Sequence, residues 1–328
     1  MKKLIFGIIV SIFFIYLSIR GVEYEEVFKA LANIKYIFLA PAIMFFLCIS
    51  FLRSLRWGIV LSPIAIIKQK RLYPITCVGY MAITLIPMRI GEFIRPYLVG
   101  NEAKIPLSSA LATVIVERVA DVLTVLGILF LAVFSSTLPG WLSKSGYSAL
   151  LILVVLISLM LILYYKTEFT LNLFAPLLNK VPKKLSVKIE EIVRNFGTGL
   201  KIISNPKRLI YTLLLSVLIW VFSALAIYSL FLFQNLQLPL ISAFVVLVIT
   251  IIGITLPAAP GFIGNFQFGC IVALSIFHLP KGDALAFSMV FYFLGIGINI
   301  LLGLVFLHTI RISFKDIMNK FTIEKEPL

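Results

Sequence analysis

Apolar runs long enough to cross a hydrocarbon core of about 30 Å recur along this chain, and that recurrence restricts its fold more than any other feature. The runs are Leu4–Ile19, Tyr36–Leu52, Leu107–Phe134, Tyr147–Tyr165, Leu209–Phe233 and Ala284–Ile310. With 61% hydrophobic and 13% charged residues and a mean hydropathy of +1.09, the 328 residues do not describe a soluble globular domain. Lipid leaves the backbone two solutions, helices or a closed barrel. The alternation of barrel strands is missing, so the expected class is an all-α polytopic integral membrane protein. Met1-Lys2-Lys3 ahead of Leu4–Ile19 resembles a secretory leader, but no small-residue cleavage site follows. The run is read as a first membrane helix.

The net charge of +15 would suggest nucleic acid in a soluble protein. Here the cations gather in short stretches between apolar runs, and no basic, aromatic-rich soluble module accompanies them. Arg53–Tyr73 carries five cations and no acid, and Lys166–Arg208 carries nine cations against three acids. The bias of Lys and Arg toward cytoplasmic loops places both segments, and both termini, in the cytoplasm. Anionic headgroups are the natural partners of such loops. Within the second loop Leu185, Ile189, Ile192, Val193 and Phe196 fall at helical spacing. The segment is either an amphipathic surface helix or a solvated basic loop. Cys48, Cys77 and Cys270 sit in apolar surroundings without CxxC spacing, and His278 and His308 are isolated. No disulfide, metal or cofactor is expected from them.

A short frame occurs twice. Ile83-Thr84-Leu85 leads into Pro87-x-x-Ile90-Gly91-x-Phe93, and Ile254-Thr255-Leu256 leads into Pro260-x-x-Ile263-Gly264-x-Phe266, 173 residues later from proline to proline. Each frame interrupts an apolar segment. Loop charges on either side predict two re-entrant hairpins, 74–100 from the cytoplasmic face and 240–279 from the opposite one. A full helix pair at 240–279 would give the same parity. The chain then divides into a first membrane repeat, 1–146, and a second, 147–328. Each repeat has an odd number of crossings, so their orientations are opposed. Six full spans and two opposed hairpins make an inverted-topology repeat, an architecture of transporters.

Charge at membrane depth is costly and points to function. Arg89, Glu92 and Arg95 fall at i, i+3, i+6. Glu117 and Asp121 are i, i+4 neighbours beside Arg118 in the middle of a long apolar run. Two carboxylates so close repel unless an arginine or a cation lies between them, and an arginine of the first hairpin is expected to supply that charge. The group is either a buried ion cluster that fixes the hairpin or a site where an arginine fork receives a lipid phosphate. The second frame, Pro257-Ala-Ala-Pro260-Gly261-Phe262-Ile263-Gly264-Asn265-Phe266-Gln267, has no charge. It is either a kink loop or the start of a helix whose N–H groups face an anion.

Taken together, Arg89-x-Gly91-Glu92-x-x-Arg95, Glu117-Arg118-x-x-Asp121 and Pro257-x-x-Pro260-Gly261-x-x-Gly264 resemble the transmembrane region of lysylphosphatidylglycerol synthases and the wider flippase-like family. The likeness covers nearly the whole chain. It implies movement of a phosphate-bearing lipid, a phospholipid or a polyprenyl-linked lipid, between leaflets of the cytoplasmic membrane. It also implies that the residues of the three motifs, with Asn265 and Gln267, line the path. That family's last motif usually ends in glutamate where this chain has Gln267, a departure that bears on any charge-dependent role there. The soluble aminoacyl-transferase domain is not found before Leu328, so lysyl transfer is not expected and the chain is read as a non-enzymatic transporter. Two rivals stay open: a membrane-embedded lipid-phosphate transferase, and a non-catalytic partner of a separately encoded lipid-synthesising enzyme. A homo-oligomer is compatible with either.

Overall fold

The structure is a computed structural model, described for residues 2–86, 91–135, 140–178, 180–256 and 258–310. Among these residues there are thirteen α-helices and no strand. They are α1 (Lys2–Ile19), α2 (Tyr24–Ala32), α3 (Leu39–Leu61), α4 (Gln69–Leu85), α5 (Gly91–Ala103), α6 (Leu107–Ser135) and α7 (Gly140–Tyr165). The remainder are α8 (Thr167–Leu178), α9 (Lys183–Gly199), α10 (Pro206–Phe233), α11 (Leu240–Thr255), α12 (Asn265–Ser275) and α13 (Lys281–Leu307).

The protein is an integral membrane protein. Four segments among the described residues are long and apolar enough to cross a bilayer: Tyr36–Leu61, Gly146–Tyr165, Pro206–Phe233 and Lys281–Leu307. α1 and α2 together form a fifth candidate, bent by 81°. Gly21 makes the bend at φ +72°, and Lys281 Nζ bonds the Leu17 and Arg20 carbonyls at the end of α1 at 2.8 and 2.6 Å. α6 is 29 residues long but carries Glu117, Arg118 and Asp121 near its middle, so length and composition separate. α7 shows what lipid contact demands. Leu150, Leu151, Ile152, Val154 and Val155 are exposed, while Leu153 and Met160 face the protein seven residues apart.

One boundary differs from the sequence expectation in a way that matters. The helix of the second span does not stop at Leu52 but continues to Leu61. Arg53 and Arg56 therefore belong to a helix packed inside the molecule, not to a cytoplasmic loop. Burial of Ser54, Arg56, Trp57, Val60 and Leu61 carries the helix past its two arginines, because that face is covered by protein.

Two antiparallel helix pairs organise the interior. In α4–α5, Gly79 lies against the Arg95 side chain and Gly91 against the backbone of Ala82 and Ile83. A Cβ at Gly91 would stand 2.4 Å from the Ala82 carbonyl oxygen, so only glycine permits this approach. In α11–α12, Gly253 meets the Asn265 carbonyl and Gly269 meets Thr250. Both pairs are too short per arm to be ordinary spans, with 17 and 13 residues in the first and 16 and 11 in the second. They begin and end near the expected hairpins 74–100 and 240–279, the first opening earlier, at Gln69. A long helix precedes each pair (α3, α10) and another follows it (α6, α13), so the element order repeats. α3 packs along α10, and α4 packs against α13, where Gly303 admits the Met81 side chain.

The segment between α7 and α10 is helical. α9 turns its C-terminal end onto α6, with Gly199 against the Ser109 carbonyl and Ser109 Oγ donating to the Asn195 carbonyl at 2.6 Å. Its Leu185, Val187 and Ile192 stay exposed, while Ile189, Val193 and Phe196 are half-buried. Of the two readings left open for the stretch, the amphipathic helix is the one observed.

Candidate functional site

Helical periodicity builds the site from three stripes. On α6, Thr113, Glu117 and Asp121 follow at intervals of four and share one face. On α3, Arg53, Arg56 and Trp57 lie within one turn. On α10, Thr212, Ser216 and Trp220 again follow at intervals of four. The α4–α5 pair closes the fourth side with Tyr80 and Arg95.

Arg56 lies between the two carboxylates. Its Nε donates to Glu117 Oε1 at 3.2 Å, while Nη1 and Nη2 grip Asp121 Oδ1 and Oδ2 at 2.5 and 3.2 Å. The same Nη1 reaches Ser216 Oγ at 2.8 Å. Arg95 comes from the other side. Its Nη2 donates to Glu117 Oε2 at 3.0 Å and its Nη1 to the Tyr80 hydroxyl at 3.2 Å. Glu117 therefore spends one oxygen on each arginine. Trp220 Nε1 donates to Asp121 Oδ1 at 3.2 Å, and Trp57 Nε1 to Thr113 Oγ1 at 3.1 Å. Arg56, Arg95 and Glu117 are about 98% removed from solvent. Charges so buried persist only when paired and hydrogen-bonded, which this lattice provides. Among the described residues Arg95 Nε finds no hydrogen-bond partner.

Around the neutral lattice lies unbalanced positive charge. The Arg53 guanidinium stands over the Tyr80 ring, 4.6 Å from its centroid. Arg95 stacks on the same ring at 4.7 Å and on Trp57 at 4.2 Å. Among the described residues Arg53 has no ion pair. Arg118 is 45% exposed and approaches Asp121 Oδ2 only to 3.9 Å, with Tyr80 and Glu92 among its electrostatic neighbours. Tyr80 thus sits amid four arginines, and its hydroxyl accepts from Arg95.

Depth follows from helix rise. Glu117 and Ser216 are each ten residues from the start of their helices, and Arg56 and Arg95 are five and eight from the ends of theirs. At 1.5 Å per residue the lattice lies roughly 8–15 Å below one end of the bundle.

Of the residues singled out from sequence, Glu92, Arg95, Glu117, Arg118 and Asp121 come together here, and Gly91 is the buried contact that lets α5 approach α4. Arg89 and Pro257 lie outside the described residues. The hairpin arginine expected against the carboxylates is Arg95. The residue between the carboxylates is Arg56, which the loop assignment had set aside. Arg53, Trp57, Tyr80, Ser216 and Trp220 were also missed. A usable signal existed for the α3 residues: Gly58-Ile59-Val60-Leu61 resumes the apolar run after Arg56-Trp57, so the arginines interrupt the run instead of ending it.

The remaining residues form a separate loop. A tight turn at Pro260–Phe262 uses Gly261 at φ +75°, and α12 starts after Gly264 at φ +86°. Gln267 Oε1 accepts the Gly264 N–H at 2.8 Å, which caps the helix with a neutral carbonyl where a carboxylate would also serve. Asn265 Nδ2 donates to the Gly253 carbonyl at 3.3 Å. α1 covers the loop: Ser11 Oγ accepts the Ala259 N–H at 2.7 Å, and Gly7 lies against the Ala258 carbonyl.

A family model described as the lysylphosphatidylglycerol synthase TM region matches residues 4–303, which include every element of the lattice. The chain belongs to this family. The relatives that it matches carry the name UPF0104 membrane protein. It is 25% identical over 255 residues to a UPF0104 membrane protein of Methanothermobacter thermautotrophicus, covering 73% of this chain and 75% of that one. A UPF0104 membrane protein of Methanocaldococcus jannaschii is 26% identical over 235 residues, covering 70% and 93%. A second from the same organism is 24% identical over 300 residues, covering 86% and 87%. No solved structure matches the chain.

Proposed function

We propose that this protein is a flippase-like transporter that carries a phosphate-bearing lipid between leaflets, without chemical conversion, through the region around Tyr80. The observation that carries the reading is the gathering of four arginines on two carboxylates and one tyrosine inside a membrane protein of a lipid-related family. A lattice needed only to brace helices would close on itself. This one closes through Arg56 and Arg95 and leaves Arg53 and Arg118 beside it as cations with forks suited to phosphate oxygens. In this reading Arg56 and Arg95 position the site and Arg53 and Arg118 receive the headgroup. Arg95 thereby keeps the compensating role expected of a hairpin arginine, and the headgroup passes to its neighbours. The repeated order of helix, antiparallel pair, helix supports an inverted repeat with six crossings and two re-entrant pairs, in a cytoplasmic membrane with both termini inside.

The test is reconstitution in liposomes with fluorescent phosphatidylglycerol in both leaflets, following the fraction that an external quencher reaches. The wild-type protein should expose the inner-leaflet pool. Arg53→Ala with Arg118→Ala should slow that exposure by about a hundredfold or more, the loss expected for two charge-assisted contacts. A full rate in that variant ends the phosphate-receiving role. Conversion of the lipid to a new species would favour the transferase rival instead.

A further inference from the structure

A second basic site lies at the end of the bundle nearest the lattice. The start of α4, the end of α5 and the end of α13 enclose a cavity of about 410 Å³. Lys70, Arg71 and Lys104 rim it, and Pro74, Ile75, Leu98 and Ile310 form its apolar wall. Ile75 and Leu98 are core residues, 5% and 2% exposed, so the wall is fixed by packing. Among the described residues the rim holds three cations against one carboxylate, Glu102, which stands 4.0 Å from Arg71 in a contact half open to solvent.

The rim also breaks a local rule. Helix N-termini carry partial positive charge and favour acidic side chains. α4 starts with Lys68 at its cap and Lys70 and Arg71 in its first turn, and no acid is there. Such placement is unfavourable for the helix alone and becomes favourable when an anion occupies the cavity. The size is that of a small-ligand site, and basic rim over apolar wall matches an anionic amphiphile. Along α5 the rim residues Asn101 and Glu102 are six and seven residues beyond Arg95, roughly 10 Å by helix rise.

We infer that this cavity is a binding site for a phosphate-bearing anionic headgroup, separate from the Tyr80 region. Lys70, Arg71 and Lys104 contact the phosphate, and Ile75 and Leu98 contact the first carbons of the attached chain. The site does not depend on the translocation reading, and its failure would leave that reading untouched.

The experiment uses the full chain in a neutral detergent and reads thermal stabilisation during titration. The probes are dioctanoyl phosphatidylglycerol, dioctanoyl phosphatidylcholine and inorganic phosphate. Every titration is repeated on the Arg53→Ala/Arg118→Ala variant, so that binding near Tyr80 is not counted. Phosphatidylglycerol should stabilise both proteins. Lys70→Gln/Arg71→Gln/Lys104→Gln should weaken its apparent affinity by about a hundredfold, near fivefold for each cation removed. If that variant does not fold, Lys104→Gln alone, at an exposed position past the end of α5, should weaken it about fivefold. Unchanged affinity in the variants overturns the site. Equal stabilisation by phosphatidylcholine overturns charge recognition. Inorganic phosphate binding as tightly as the lipid overturns the amphiphile and makes free phosphate the ligand.

Discussion

Arg56 shows how a single side chain can be hidden in a sequence. By composition it belongs to a basic loop, yet it holds both carboxylates of α6. Its removal should therefore cost more than its pairs are worth. Arg56→Ala leaves Glu117 to Arg95 and Asp121 to the long Arg118 contact, with no cation between the two carboxylates, and losses of about 3–5 kcal/mol are typical when one partner of a buried pair is deleted. Glu117→Gln should behave alike, because Arg56 and Arg95 each lose one charged acceptor. Combining Glu117→Gln with Arg95→Gln should recover part of the loss, and a double-mutant cycle on detergent thermal stability measures it. Additive losses would mean that Arg95 and Glu117 are not coupled despite their 3.0 Å contact. The carboxylates themselves were legible, because i, i+4 acids in an apolar run demand a cation. Which cation answers was not, since Arg56 is 61 residues from Glu117 and its burial is a property of packing.

At the scale of elements the helix pairs were legible and their covers were not. Proline and glycine interrupting apolar runs announced both breaks, and the repeated frame tied them together. Nothing in the sequence announced that α1 lies over the second break, because a first apolar helix can pack anywhere. The contact rests on glycine at Gly7 and Gly264 and on Ser11. Gly264→Val should be strongly destabilising, since it needs φ +86° and its Cβ would come 2.5 Å from the Ser11 carbonyl. Gln267→Ala should cost about 1 kcal/mol, the usual value of a lost N-terminal cap, while Gln267→Glu should be tolerated. Thermal unfolding of the three variants in one detergent ranks them. If Gln267→Ala equals Gly264→Val, the cap and not the close approach of α1 governs the loop.

The whole molecule raises the question of orientation. α3, α4, α5, α6 and α10 bring the lattice to one end of the bundle, and the basic α8–α9 segment lies between α7 and α10 at the ends nearest it. Two independent facts thus mark the same end: the depth of Arg56, Glu117 and Ser216 along their helices, and the seating of α9 on the first turn of α6 through Ser109. By the positive-inside bias, the excess of Lys and Arg in 166–208 predicts that this end faces the cytoplasm. The lattice would then be met from the cytoplasmic leaflet first, before a lipid has passed the bilayer centre. A cysteine at Lys183, on the exposed first turn of α9, should escape a membrane-impermeant maleimide in intact cells and react once the membrane is opened. The three native cysteines should be replaced by serine or alanine beforehand, since Cys48 is half-buried and could contribute background. Labelling from outside would invert the molecule. The lattice would then face the outer leaflet, and a lipid reaching it from that side would have to be an incoming one. The same helices would remain, with their charges set against the positive-inside bias, so this one measurement fixes which leaflet the lattice end faces.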